Sequence, residues 1–266
     1  LMATRKPMHV LELTQKPDDR DALEHWVREV RKLKQRLESE FAVRITDEDL
    51  RASIRTANRE RAGRRALAEL MRTDDPPLTG RELLDFKAIL AAIPADLEQY
   101  EKAARSLPGR RISPPAGDRV RVLLTGVPLP HGAERVIDIL EDSGGLVVCQ
   151  ENCTGIKPII EDVAEDTNDP LRAIAEKYFH LPCSVMTPNN ARMDLLRRLA
   201  AEYRPRCVVE LTWQACLTYD VESRRVREFV EDELSLPYLK IETDYSPSDT
   251  ERIRMRVEAL YETVRN

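Results

Sequence analysis

Five cysteines, Cys149, Cys153, Cys183, Cys207 and Cys216, are the residues of this 266-residue chain best suited to chemistry, and none falls in the first 148 positions. An odd number at long spacings, with nothing secretory about the sequence, fits thiols kept reduced rather than a disulfide framework. The separations of 30 residues (153 to 183) and 33 residues (183 to 216) match neither the close Cys-x-x-Cys pairs of zinc ribbons nor the short ferredoxin runs. Thiolates this dispersed meet only through the fold, and soft donors gathered that way suit an iron–sulfur cluster or zinc. Cys207 opens an apolar segment and Cys149 closes one, so both read as small core residues. Cys153 and Cys216 lie in polar loops, where a thiol has no packing reason to exist. Cys183, in Leu-Pro-Cys-Ser, is ambiguous on residue type alone.

The other polar candidates follow short apolar runs. Val120–Thr125 leads into Gly126-Val127-Pro128, and Leu146–Cys149 into Gln150-Glu151-Asn152-Cys153-Thr154-Gly155. Cys207–Leu211 leads into Thr212-Trp213-Gln214-Ala215-Cys216-Leu217-Thr218-Tyr219, and Tyr238–Ile241 into Glu242-Thr243-Asp244-Tyr245-Ser246. If the runs are parallel strands, these segments share the carboxyl edge, where open sheets bind ligands. Thr154, Gln214 and Tyr219 are candidates to hydrogen-bond around the thiolates, and Glu151 and Asp244 to deliver protons. The competing reading for each is a loop-capping residue. No G-x-G-x-x-G or G-x-x-x-x-G-K-[ST] occurs, and no histidine pairs locally with serine or cysteine, so nucleotide loops and hydrolase triads have no support.

The elements that must position these residues fall into two parts. Pro17-Asp18-Asp19 opens a helical pattern to about Ser39, and Thr46 with Asp49 caps a second through Met71. Thr79 with Glu82 caps a third, running towards Ser106, and Met8–Leu13 has the pattern of a short strand. Pro108–Gly117 reads as a linker. Beyond it, the four short strands alternate with helices at about 132–142, Pro170–Tyr178, Asn190–Tyr203, Val221–Glu233 and, capped by Ser248 with Glu251, a last one to Thr263. Such alternation predicts an α/β fold: a helical connecting region (1–107) followed by a doubly wound parallel four-stranded sheet (118–266). Lys and Arg number 42 against 47 Asp and Glu, a net charge of −5. That balance gives no electrostatic reason to bind nucleic acid or an anionic membrane, and no run is apolar enough for a membrane span.

The loops carry a resemblance. Glu151-Asn152-Cys153-Thr154-Gly155-Ile156-Lys157, Cys183-Ser184 followed by Thr187-Pro188-Asn189, Gln214-Ala215-Cys216 with Thr218-Tyr219 and Glu222-Ser223, and Pro237-Tyr238 with Ile241-Glu242-Thr243-Asp244-Tyr245-Ser246 are collinear motifs. They resemble the 2-hydroxyacyl-CoA dehydratase and benzoyl-CoA reductase family. The Glu-Asn-Cys-Thr-Gly and Ile-Glu-Thr-Asp-Tyr-Ser versions are most similar to its double-cubane reductase branch. The helical part, from His9 and through Ile45-Thr46-Asp47-Glu48, is also similar to the middle of these proteins.

The resemblance implies Rossmann-like α/β domains joined by helices, and an iron–sulfur cofactor, a [4Fe-4S] cluster or a double cubane. It implies a separate ATP-hydrolysing iron–sulfur activator as electron donor, assembly as a homodimer or as a heterodimer with a related subunit, and a cytoplasmic setting. The reaction would be an ATP-activated low-potential reduction or, in the dehydratase branch, loss of water from an (R)-2-hydroxyacyl-CoA by a ketyl-radical route. An α/β interaction subunit without catalysis is the alternative of another class. Cys153 and Cys216 match ligand positions directly. Cys183 matches the third, although relatives often carry Cys-x-Cys where this chain has Cys183-Ser184-Val185. Relatives carry a first α/β domain upstream of the position of Leu1, so the chain reads as the latter part of a longer protein.

Overall fold

Residues 8–86 and 92–265 are described by a computed structural model of the chain. In chain order its helices are α1 (Arg20–Phe41), α2 (Asp47–Leu70), α3 (Gly80–Leu84), α4 (Pro94–Ser106), α5 (Arg135–Asp142), α6 (Pro170–Phe179), α7 (Asn190–Tyr203), α8 (Leu217–Glu228) and α9 (Thr250–Arg265). The strands are β1 (Val120–Gly126), β2 (Gly145–Glu151), β3 (Cys207–Trp213) and β4 (Tyr238–Thr243). Two compact units emerge: one holds residues up to Arg59 with Glu161–Asn189, the other Glu60–Ile160 with Asn190 onwards. This division runs differently from the expected 1–107 and 118–266, because Glu60–Pro108 packs with the sheet while α6 packs with α1.

The first unit is helical. Asp19 starts α1 by accepting from the amides of Asp21 and Ala22, and Asp169 starts α6 by accepting from Arg172 N, with Pro170 in the first turn. Ala22, Trp26 and Val27 of α1 pack on Leu171, Ala175 and Phe179 of α6, and the Trp26 indole donates to Ala175 O at 3.0 Å. Thr46 and Asp49 form the expected cap, Asp49 N donating to Thr46 Oγ1 at 3.2 Å and Thr46 N to Asp49 Oδ2 at 2.8 Å.

The second unit is built on an all-parallel sheet in the order β2-β1-β3-β4. Alternation along the strands sends successive side chains to opposite faces. Leu123, Val148 and Val208 enter one core with Leu196 and Leu199 of α7 and Val226 of α8. Val122, Leu124, Val147 and Val209 enter the other with Val136 and Leu140 of α5 and Val257 and Tyr261 of α9. Helices therefore cover both faces, which is why β2 is buried along its whole length and reads as a nearly continuous apolar run. The α/β class with a doubly wound parallel four-stranded sheet is the fold observed.

Three local expectations change. Met8–Leu13 forms no strand: Met8, Val10, Leu11 and Leu13 are exposed, and no described residue pairs with them in a ladder. The helix expected from Thr79 to Ser106 is interrupted, since α3 stops at Leu84 and α4 begins after Ile93, whose Pro94 neighbour disfavours helical backbone. The turn before α9 is held by Ser246, which accepts from Ser248 N, in place of the expected Ser248 cap. No described helix is long and apolar enough to cross a membrane.

Candidate functional site at the carboxyl edge of the sheet

From β1 the chain passes to β2 on one side and later returns to β3 on the other, so the topology reverses beside β1. The tip of β1 requires glycine. Gly126 has φ +105, and a Cβ there would sit 2.0 Å from Leu211 O, where β1 and β3 close on each other. After β2, the buried Asn152 organises a turn: its Oδ1 accepts from Thr154 N at 3.1 Å, Gly155 N at 2.8 Å and Thr154 Oγ1 at 2.9 Å. Ile156 N then donates to Gln150 O at 2.9 Å, and a Cβ on Gly155 would lie 2.1 Å from that same oxygen. Cys153 is the exposed residue inside this turn.

After β3 the backbone reverses sharply. Ala215 adopts φ +65, a left-handed conformation that is costly for a residue with a Cβ. Cys216 follows as the half-buried residue immediately before α8, its amide donating to Trp213 O at 2.9 Å. The Trp213 ring lies against Tyr245, from the loop after β4, with centroids 4.7 Å apart, and its indole donates to Pro128 O at 3.3 Å.

Under these loops lies a buried charge network. Arg192, on the first turn of α7 and fully buried, donates from Nη2 to Thr125 Oγ1 at 2.8 Å and to Glu210 Oε1 at 3.2 Å. Its Nε reaches Glu151 Oε2 at 3.4 Å, and its Nη1 reaches Glu222 Oε2 at 2.6 Å. Lys157 Nζ, also buried, pairs with Glu151 Oε1 at 2.8 Å. Thr125 Oγ1 also donates to Glu151, and Tyr238 OH to Glu210. The Tyr219 ring receives both cations, Arg192 Cζ at 5.1 Å and Lys157 Nζ at 5.8 Å from its centroid. The two interior carboxyls are driven apart. Burial raises both, but at Glu151 the charges of Lys157 and Arg192 outweigh it and leave the carboxyl below its ordinary value. At Glu210 burial prevails over Arg192 and Tyr238, and the carboxyl titrates above its ordinary value.

The residues singled out in the sequence are divided by this geometry. Cys153 and Cys216 stand on the tips of β2 and β3, the two strands flanking β1. Cys149 and Cys207 are core residues, and burial raises both thiols, Cys207 to about 12. Cys183 lies in the α6–α7 loop of the first unit, its carbonyl accepting from Met186 N and Asn189 Nδ2. Glu151 has no exposed surface and belongs to the ion network. Thr154 accepts from Leu129 N and donates to Asn152, a loop-closing role. Tyr219 roofs the cations, Gln214 is exposed with its amide on Thr243 O, and exposed Asp244 accepts from Ser246 N.

Sequence reasoning missed Arg192 and Glu210, and it gave Lys157, Glu222 and Tyr238 no role beyond their place in the motifs. One signal was available: Glu210 interrupts an apolar strand, and a strand carboxylate buried on both faces demands a cation. Which cation answers it depends on chain-distant packing.

Soft thiol donors on one edge fit an iron–sulfur group in ligand type and position. Among the described residues no three Cys, His, Asp or Glu side chains are gathered as a metal cage. Cys153 and Cys216 are the two thiols that this edge presents.

Comparison with known proteins agrees with the motifs. Residues 1–264 match the family described as "2-hydroxyglutaryl-CoA dehydratase, D-component". YjiM of Escherichia coli (strain K12), described as a candidate dehydratase subunit, is 35% identical over 269 residues, covering 98% of this chain and 69% of YjiM. A match that spans the helical segments as well as the sheet, and includes every loop described above, makes the chain a member of the 2-hydroxyglutaryl-CoA dehydratase D-component family.

Proposed function

We propose that this chain is an iron–sulfur subunit of a 2-hydroxyacyl-CoA dehydratase-type enzyme, with Cys153, Cys216 and Cys183 as cluster ligands. One observation carries the reading: two of the five thiols stand on the loops either side of the β1 tip, where the sheet topology reverses, while Cys149 and Cys207 are sealed in the core. When bound, the cluster supplies one-electron chemistry at low potential. The protein contributes placement. Asn152 and Thr154 close the turn around Cys153, Tyr219 and the buried cations support the helix behind Cys216, and the exposed Asp244 is the acidic group assigned to proton movement, since Glu151 is buried as a paired carboxylate. A separate ATP-hydrolysing activator would donate the electron, and a related subunit would complete the assembly. The substrate class is an (R)-2-hydroxyacyl-CoA, which loses water.

Anaerobic reconstitution should load iron and sulfide together and give broad sulfur-to-iron charge-transfer absorption. A Cys153→Ala, Cys216→Ala double variant that loads the same iron as the parent chain would overturn the ligand assignment. A second reading, ATP-activated reduction of a small molecule, is favoured by the Glu151–Gly155 and Ile241–Ser246 motifs. The loaded subunit with activator and ATP separates the two: elimination of water from a 2-hydroxyacyl-CoA supports the first. Activator-driven reduction of a small acceptor, without elimination, supports the second.

A further inference from the structure

We propose that Arg192 is a positioning residue that fixes the two thiol-bearing loops against each other. The proposal rests on the reading of Cys153 and Cys216 as ligands. One guanidinium reaches three strands and one helix: Thr125 on β1, Glu151 at the end of β2, Glu210 at the middle of β3 and Glu222 on α8. Glu151 lies two residues before Cys153, and Asn152 between them shapes the turn. Tyr219 and Glu222 lie three and six residues after Cys216, within about two turns of α8, so the cation clamps the helix close to where the thiol leaves it. Each thiol loop thus has its own arm to a shared centre.

Stability alone is a poor account of such a centre. Three carboxylates, Glu151, Glu210 and Glu222, surround two cations, Arg192 and Lys157, in a setting where apolar side chains of equal volume commonly stabilise as well or better. What an ion network of fixed geometry offers in exchange is one defined arrangement. Arginine suits the task, since its planar fork presents five donors that a lysine ammonium cannot reproduce. Four acceptors from four different elements use that fork here.

The arms can be cut singly in the metal-free chain. Glu222 sits at the partly exposed end of the network, so Glu222→Gln cuts the α8 arm with little desolvation penalty. Amide hydrogen exchange should then rise by about ten-fold in segment 215–220 and stay unchanged in 152–156, the equivalent of one lost hydrogen bond to a charged group. Glu151→Gln should give the converse pattern, and Arg192→Lys should raise both. Alkylation of the buried Cys149 and Cys207 reports global opening and should stay slow in all three. Equal acceleration in both loops on cutting one arm, exchange that rises everywhere including β1–β3, or no change in either loop would each overturn the proposal. If Arg192→Lys fails to fold, the two single-arm variants decide.

A spectroscopic arm follows in the reconstituted protein: Glu222→Gln should keep its iron content while the resonance spectrum of the reduced cluster shifts. A spectrum identical to the parent chain's would count against positioning. A parent chain that holds no iron would sink the ligand reading, while the exchange pattern would still test the coupling of the loops.

Discussion

Gly126 decides how closely β1 and β3 approach at the edge that carries the thiols. A methyl group there meets Leu211 O at 2.0 Å with the backbone at φ +105, so neither the space nor the conformation admits it. Gly126→Ala should lower unfolding free energy by about 3 kcal/mol, read as a lower urea midpoint at unchanged slope. Charge at single residues gives a second expectation. Glu151, held below its ordinary carboxyl value, contributes stability above that value and loses it as pH falls through the folded one. Glu210 runs the other way: its folded value is raised, so its contribution is present below the ordinary 4.5 and is lost as pH climbs to the folded value. Glu210→Gln removes that loss. The urea midpoint of the variant relative to the parent should therefore rise as pH is raised above 4.5, and a difference that shrinks would refute the assignment. The separation of Cys149 and Cys207 from Cys153 and Cys216 was legible in the sequence because each strand thiol sits among Val and Leu, and each loop thiol beside Thr, Gly or Gln.

Elements were legible where one physical rule dominated. α7 runs from Asn190 to Tyr203 as the apolar spacing predicts, with Leu195, Leu196 and Leu199 all buried. The strands were read too short, because polar residues interrupt their apolar runs near the end: Gln150-Glu151 in β2, Thr212 before Trp213 in β3, Glu242-Thr243 in β4. Backbone pairing continues through them regardless, Thr125 with Glu151 and Thr212 with Glu242, since a ladder needs only amides and carbonyls. α3 shows another dependence invisible in a linear pattern. Its cap is shared between Thr79, in a capping box with Glu82, and Glu141 of α5. That buried carboxylate accepts from Gly80 N at 2.7 Å, Arg81 N at 3.2 Å and Val147 N at 3.2 Å. Burial raises its titration above the ordinary value, and the three backbone N–H donors oppose that rise. Glu141→Leu strands three backbone donors at once and should cost about 3 kcal/mol or more, whereas Thr79→Ala should cost about 1 kcal/mol by the same denaturant measurement.

At the scale of the molecule, the carboxyl edge was predictable because parallel strands must all end on one side. The Arg192 network was not, since its members come from positions 125, 151, 192, 210 and 222 and share no local pattern. The sheet is held by two apolar cores whose buried cysteines are Cys149 and Cys207, with Cys216 only packed against the margin of one of them. Chelating iron from a reconstituted sample should accordingly leave its far-ultraviolet circular dichroism unchanged, and collapse of that signal would show that the cores do not suffice. The chain has two tryptophans, Trp26 in the helical unit and Trp213 stacked on Tyr245 at the sheet edge. A Trp26→Phe chain would thus be a single-tryptophan protein whose tryptophan emission arises at the sheet edge that bears Cys216, so that whatever comes to rest there could be followed by quenching in real time.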